Sequence, residues 1–100
     1  MVHQWKRQPQ ERQGTYRFSG KFVVTQGIAQ LLSEAEIMLL YWEVRYLVEQ
    51  NDGIDYFVVF THEGTGQELF FIDQINDEMK ASGGHPPEHD YCTLLLKIEY

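Results

Sequence analysis

A chain that carries Ser33-Glu34-Ala35-Glu36 has a helix whose first turn is already specified. In such a capping box the serine hydroxyl and the glutamate three residues later each accept from the other's backbone N–H. The acids also sit at the positive end of the helix dipole. Ile37, Leu40, Tyr41, Val44, Leu47 and Val48 then recur at spacings of three and four as one apolar, core-facing stripe. Gln50-Asn51-Asp52-Gly53 supplies the stop. Met38, Leu39, Trp42 and Tyr46 lie around the rest of the cylinder and need cover, from other segments of the chain or from a second subunit.

After this helix the period changes from about 3.6 to 2. Residues 56–61 and 69–72 are rich in β-branched and aromatic side chains and flank Gly64-Thr65-Gly66-Gln67, so together they read as an antiparallel hairpin. Both strands carry apolar groups on both faces, which calls for cover on each. Before the long helix, Thr25 caps a short helix running through Leu32. Tyr16, Phe18, Phe22, Val23 and Val24 form a short extended or β-like lead-in interrupted at Ser19-Gly20, a turn signal that permits a small hairpin or bend. Residues 73–80 hold a brief helical turn, and residues 82–87 are a glycine- and proline-rich loop. Residues 91–99 form a last strand with Cys92, Leu94, Leu96 and Ile98 facing the core. The expected fold is α+β: one short and one long N-terminal helix packed on a small antiparallel sheet of three to four strands.

One hundred residues, 43% of them hydrophobic and 14% aromatic, suit a single domain. Residues 1–14 read as a mobile basic arm and residues 15–100 as the α+β domain. The net charge of −7 is unevenly spread. Residues 1–30 hold five cations and one acid, and residues 31–100 hold three cations and fourteen acids. An acidic body disfavours direct nucleic-acid binding, and no apolar run is long enough for a membrane span. The lone Cys92 cannot form an internal disulfide, and no secretory leader is visible, so the expected compartment is the cytoplasm.

Catalytic patterns are lacking: there is no nucleophile elbow, phosphate loop or dinucleotide fingerprint. Gly64-Thr65-Gly66 is a turn, Cys92 falls on an apolar strand position as an inert thiol, and Asp73, Asp77 and Glu78 read as a solvated edge. No catalytic residue and no cofactor is assigned. Among polar clusters, His85, Glu88, His89 and Asp90 could ligate a divalent metal, although Pro86 and Pro87 prevent the helix that would align the two imidazoles. His62 beside Glu63 is a lesser candidate.

The stretch Thr15-Tyr16-Arg17, then Lys21-Phe22-Val23-Val24-Thr25-Gln26-Gly27-Ile28, Tyr41-Trp42 and the closing Glu99-Tyr100, resembles a family of small bacterial proteins common in cyanobacteria, a domain family of unknown function. The resemblance spans about three quarters of the chain. It departs from the family at Glu36-Ile37-Met38-Leu39, where small and aromatic residues are favoured. It implies fold and a bacterial origin and transfers no catalytic residue.

The expected function is that of an interaction protein that self-associates, a dimer being the simplest form, through Trp42, Tyr46, Phe57, Phe70 and Phe71. Two alternatives from other classes are a metal-dependent protein or enzyme using the loop from His85 to Asp90, and an acidic regulator whose body mimics nucleic-acid charge.

Overall fold

The computed structural model describes residues 4–83 and 87–100. Its elements are β1 (Trp5–Arg7), β2 (Lys21–Val24), α1 (Gln26–Leu31), α2 (Glu34–Asn51), β3 (Phe57–His62), β4 (Glu68–Asp73), α3 (Asp77–Ala81) and β5 (Tyr91–Leu96), with short 3-10 turns at Pro87–His89 and Lys97–Glu99. Helix α2 begins where its capping box places it: Ser33 Oγ accepts from Glu36 N at 3.2 Å and Glu36 Oε1 accepts from Ser33 N at 3.0 Å. It ends as Asp52 and Gly53 turn to positive φ, with Gly53 N donating back to Val48 O at 3.0 Å. Thr25 caps α1 through Ile28 N.

The strands form one sheet in the order β1-β3-β4-β5-β2, antiparallel except for the parallel pair β5-β2. Helices α1 and α2 cover one face. There Ile28, Ile37, Leu40, Val44 and Val48 meet Val58, Phe60, Leu69, Phe71, Cys92 and Leu94 in one buried cluster. Phe22 on β2 stacks on Tyr41 at 4.5 Å, closing this layer at the far edge.

The α+β class, the β3-β4 hairpin and a helical turn before the last strand agree with the sequence reading. The sheet corrects it, having five strands and being mixed, with two of them, β1 and β2, before the helices. Both edge strands are short and pair with segments far along the chain; β2 falls in the lead-in read as extended, whereas β1 lies in the residues expected as a mobile arm. The last strand also stops at Leu96, so Ile98, expected in the core, is 89% exposed. Glu99 is the reason. Its carboxylate accepts from Thr25 Oγ1 at 2.6 Å, from Leu96 N at 2.9 Å and from Gly27 N at 3.3 Å, which bends the chain into a 3-10 turn at the start of α1. The Thr25 hydroxyl and these backbone N–H groups hold the Glu99 carboxyl below its ordinary pKa.

Residues 1–14, expected as a mobile arm, supply an edge strand. Trp5 is buried, with its ring edge-on to His62 at 4.8 Å. Beyond β1 the pairing continues through Gln8 N to Val59 O at 2.8 Å, and the Gln10 amide both donates to Phe57 O and accepts from Asp55 N. Arg7 reaches Glu43 on α2 at 3.2 Å. The described part of the basic arm thus lies on its own acidic body. Gly14 closes this course, since a Cβ there would stand 2.4 Å from Ile54 O and 2.5 Å from Asp55 Cα. Gly14→Ala is expected to cost about 1–2 kcal/mol, the lower part of the range for overpacking, because the arm can lift at this point. Urea denaturation measures it, and an unchanged midpoint would contradict this packing.

Candidate interaction surfaces

Alternation along each strand sends a second set of side chains to the face of the sheet away from α2. Register places Phe57, Ile72 and Thr93 in one row there and Val59, Phe70 and Leu95 in the next. Among the described residues no helix packs on this face, because α1 and α2 bury their apolar groups in the opposite cluster and α3 buries none. Phe70 and Leu95 are shielded by their neighbours, whereas Phe57, Val59 and Ile72 are only half-buried. Tyr100 folds back over the rows, edge-on to Phe70 at 5.4 Å and to Phe57 at 6.0 Å.

The result is a groove with an aromatic floor. One stretch, about 580 Å³, is lined by Tyr56, Phe57, Phe70 and Tyr100 with Arg12 and Lys97 at its rim. The next, about 560 Å³, shares Glu11, Asp55 and Phe57 with it and runs between residues 8–10 of the arm and Val59. The charged groups of the rim are mixed in sign, with Lys97 held by Glu68 at 2.9 Å.

A second surface lies on the opposite side of the molecule. Met38, Trp42 and Tyr46, spaced four apart on α2, are 41%, 60% and 64% exposed and form a straight row on the outer side of the helix. The Tyr41 ring lies edge-on to that of Trp42 at 5.3 Å, and most of the indole faces outward.

The five side chains expected to form one interaction surface therefore divide three ways. Trp42 and Tyr46 lie on the helix, Phe57 and Phe70 on the open sheet face, and Phe71 in the core, fully buried against Phe18 and Tyr41. Phe71 cannot contribute to a surface, because the register that turns Phe70 outward turns its neighbour inward. Tyr56, Tyr100, Arg12 and Lys97, which complete the groove, were not singled out by the sequence reading. Their signal is weak, since all four lie outside the strands, Tyr56 and Lys97 just beyond a strand end and Arg12 and Tyr100 further along the chain.

Of the proposed metal ligands, His85 lies outside the described residues. Glu88 and His89 are exposed, and Asp90 is engaged by Lys80 at 3.2 Å. Among the described residues no group of three or more histidine, cysteine or acidic side chains gathers to hold a metal ion. His62 is committed locally, its Nδ1 accepting from Gly64 N and Thr65 N and its Nε2 meeting Gln4 Oε1 at 2.8 Å. Asp77 pairs with Arg17, and Glu78 is exposed. Cys92 is buried, and burial pushes its thiol up to about 12, which leaves no thiolate for nucleophilic chemistry at neutral pH.

A more unusual polar feature is Asp73, only 3% exposed. Its Oδ2 accepts from Phe18 N at 2.9 Å, and Phe18 sits at a φ of 51°, uncommon for a bulky residue. Oδ1 has no hydrogen-bond partner among the described residues, and burial raises the pKa of this carboxyl. At 3% exposure the carboxyl presents almost no surface to solvent. Among the described residues no helix is long and apolar enough to cross a membrane.

Searches against protein-family models, curated proteins and solved structures find no match to this chain, so the likeness to the cyanobacterial family rests on the quoted residues alone.

Proposed function

We propose that this domain is a protein-interaction module that self-associates, in a reducing compartment such as the cytoplasm, with a dimer as its smallest assembly. One observation carries the reading: Trp42 and Tyr46, both more than half exposed, stand with Met38 in a straight row on the outer side of the best-specified helix of the chain. Tryptophan and tyrosine are the residues on which binding energy concentrates once a partner excludes water from them. The local sequence requires no aromatic at these positions, since the helix is already fixed by its cap and its inner stripe. The buried, inert Cys92 is compatible with a reducing location.

Sedimentation equilibrium across a concentration series tests the reading. The wild-type chain is expected to show a mass above that of the monomer in the micromolar range. Trp42→Ala is expected to weaken the association about thirtyfold, the equivalent of losing one hot-spot side chain, while leaving the circular dichroism spectrum unchanged. A wild-type chain that remains monomeric at high micromolar concentration would overturn the proposal.

A further inference from the structure

We infer that the open sheet groove takes an extended basic peptide segment of another protein, with an arginine at the groove's arm end and an apolar residue on its aromatic floor. The inference is independent of the self-association proposed above, which is carried by the outer row of α2 on the other side of the molecule.

The two stretches of the groove adjoin at Phe57 and differ in charge. The arm end is lined by Glu11, Asp55 and Glu68 and by no cation. Of these three, Glu68 is neutralised by Lys97 at 2.9 Å. Glu11 and Asp55 are in no ion pair among the described residues: Glu11 is exposed, and the Asp55 carboxylate accepts from Tyr56 N at 3.0 Å. Two carboxylates without a counter-ion thus stand beside the half-buried Phe57 and Val59. The second stretch is floored by Phe57, Phe70 and Tyr100, and there Arg12 and Lys97 offset Glu11 and Asp55. Across the whole groove three acids face two cations. Lys6 lies on the same face, in the row of Thr61 and Glu68, and lines neither stretch.

Each part of this lining selects one part of the occupant. Unpaired carboxylates beside an aromatic ring favour arginine, whose planar guanidinium donates to carboxylates and stacks on ring faces. The chain's net charge of −7 acts in the same direction at longer range, drawing basic partners and repelling phosphate-rich ones. Charge alone leaves the floor uncovered. The Phe57 and Phe70 rings lie 4.7 Å apart with Tyr100 edge-on to both, and only an apolar side chain gains by excluding water from them. In an extended chain every second side chain faces the same way, about 7 Å further on, so an Arg-x-Leu run sets its arginine and leucine on the two adjoining stretches. The groove also fixes which end the arginine takes, since at the other it would meet Arg12 and Lys97.

Fluorescence anisotropy with a labelled Gly-Ser-Arg-Ser-Leu-Ser-Gly peptide tests this on the full chain. Two counterparts carry serine for the leucine or glutamate for the arginine. The first peptide is expected to bind saturably and each counterpart at least about tenfold more weakly. Glu11→Gln with Asp55→Asn, which keeps an oxygen for Tyr56 N, should weaken binding about tenfold, as for two lost surface ion pairs. Glu11→Gln alone, at an exposed site, should act in the same direction if the double variant perturbs folding. Tyr100→Ala, at a 73% exposed site, tests the floor and should also weaken binding. Glu49→Gln with Glu78→Gln removes equal charge from exposed positions outside the groove and should leave the affinity unchanged. No saturable binding of the arginine-leucine peptide would overturn the inference. So would equal loss in the Glu49 and Glu78 variant, or equally tight binding of the serine counterpart, since either means that the acidic body attracts any cation. None of these results bears on whether the chain self-associates, which sedimentation decides separately.

Discussion

Phe71→Ala is expected to destabilise the domain by about 3–5 kcal/mol, the range for truncating a fully buried phenylalanine. The side chain has no exposed surface and lies at the centre of the core, 4.9 Å from the ring of Phe18, 5.4 Å from Phe22 and 6.3 Å from Tyr41. These neighbours come from the lead-in, β2 and α2, so the cavity would be bounded by three separate segments, and no single one can collapse into it. In a 100-residue domain each kcal/mol moves Tm by about 4–8 °C, so the fall should exceed about 12 °C. Phe70→Ala is the control. It alters the next residue on the opposite face, where the rings of Phe57 and Tyr100 lie against it and, among the described residues, no helix packs, so a smaller loss of Tm is expected. Thermal denaturation by circular dichroism separates the two, and equal Tm values would contradict the register that places them on different faces.

This pair also shows how far the sequence could be read. Both phenylalanines were legible as parts of a strand with two apolar faces. Which of them points into the core depends on pairing with β3 and β5 and on the side that α2 covers, and neither is a local property. Helix α2 was legible almost completely, because its cap, its inner stripe and its stop are encoded within one continuous stretch. The outer position of Trp42 and Tyr46 followed from the same periodicity. The pairing of the edge strands was not legible, although the β2 stretch reads as extended. Trp5 pairs with His62 on β3, fifty-seven positions on, and the parallel pairing of Lys21 to Val24 with β5 brings together residues about seventy positions apart. The groove depended on that non-local information, since its floor, its arm wall and Tyr100 come from three distant parts of the chain.

Asp73 should make the protein less stable as pH rises from the ordinary carboxylate range toward neutrality. Burial is the main cause of its raised pKa, reinforced by the neighbouring Asp90 charge and opposed by the hydrogen bonds from backbone N–H groups, that of Phe18 foremost, and by Lys80. Tyr16 and Cys92 also face it, and both have raised pKa values, so both stay protonated and neutral at neutral pH. With the folded-state pKa above that of the unfolded chain, folding favours the protonated carboxyl. Its contribution is therefore complete below the unfolded value and is lost as pH rises through the folded one, each unit of displacement amounting to about 1.4 kcal/mol. Asp73→Asn keeps an oxygen to accept from Phe18 N and carries no charge. Its advantage over the wild type in urea should therefore be absent in acid and grow toward pH 7. Asp73→Ala leaves the Phe18 N–H buried without an acceptor and should fall about 1–3 kcal/mol below the asparagine variant at every pH. If asparagine is instead destabilising at neutral pH, the attraction of Lys80 for the ionised carboxylate outweighs the cost of burying it, and the order of these two effects would have to be reversed.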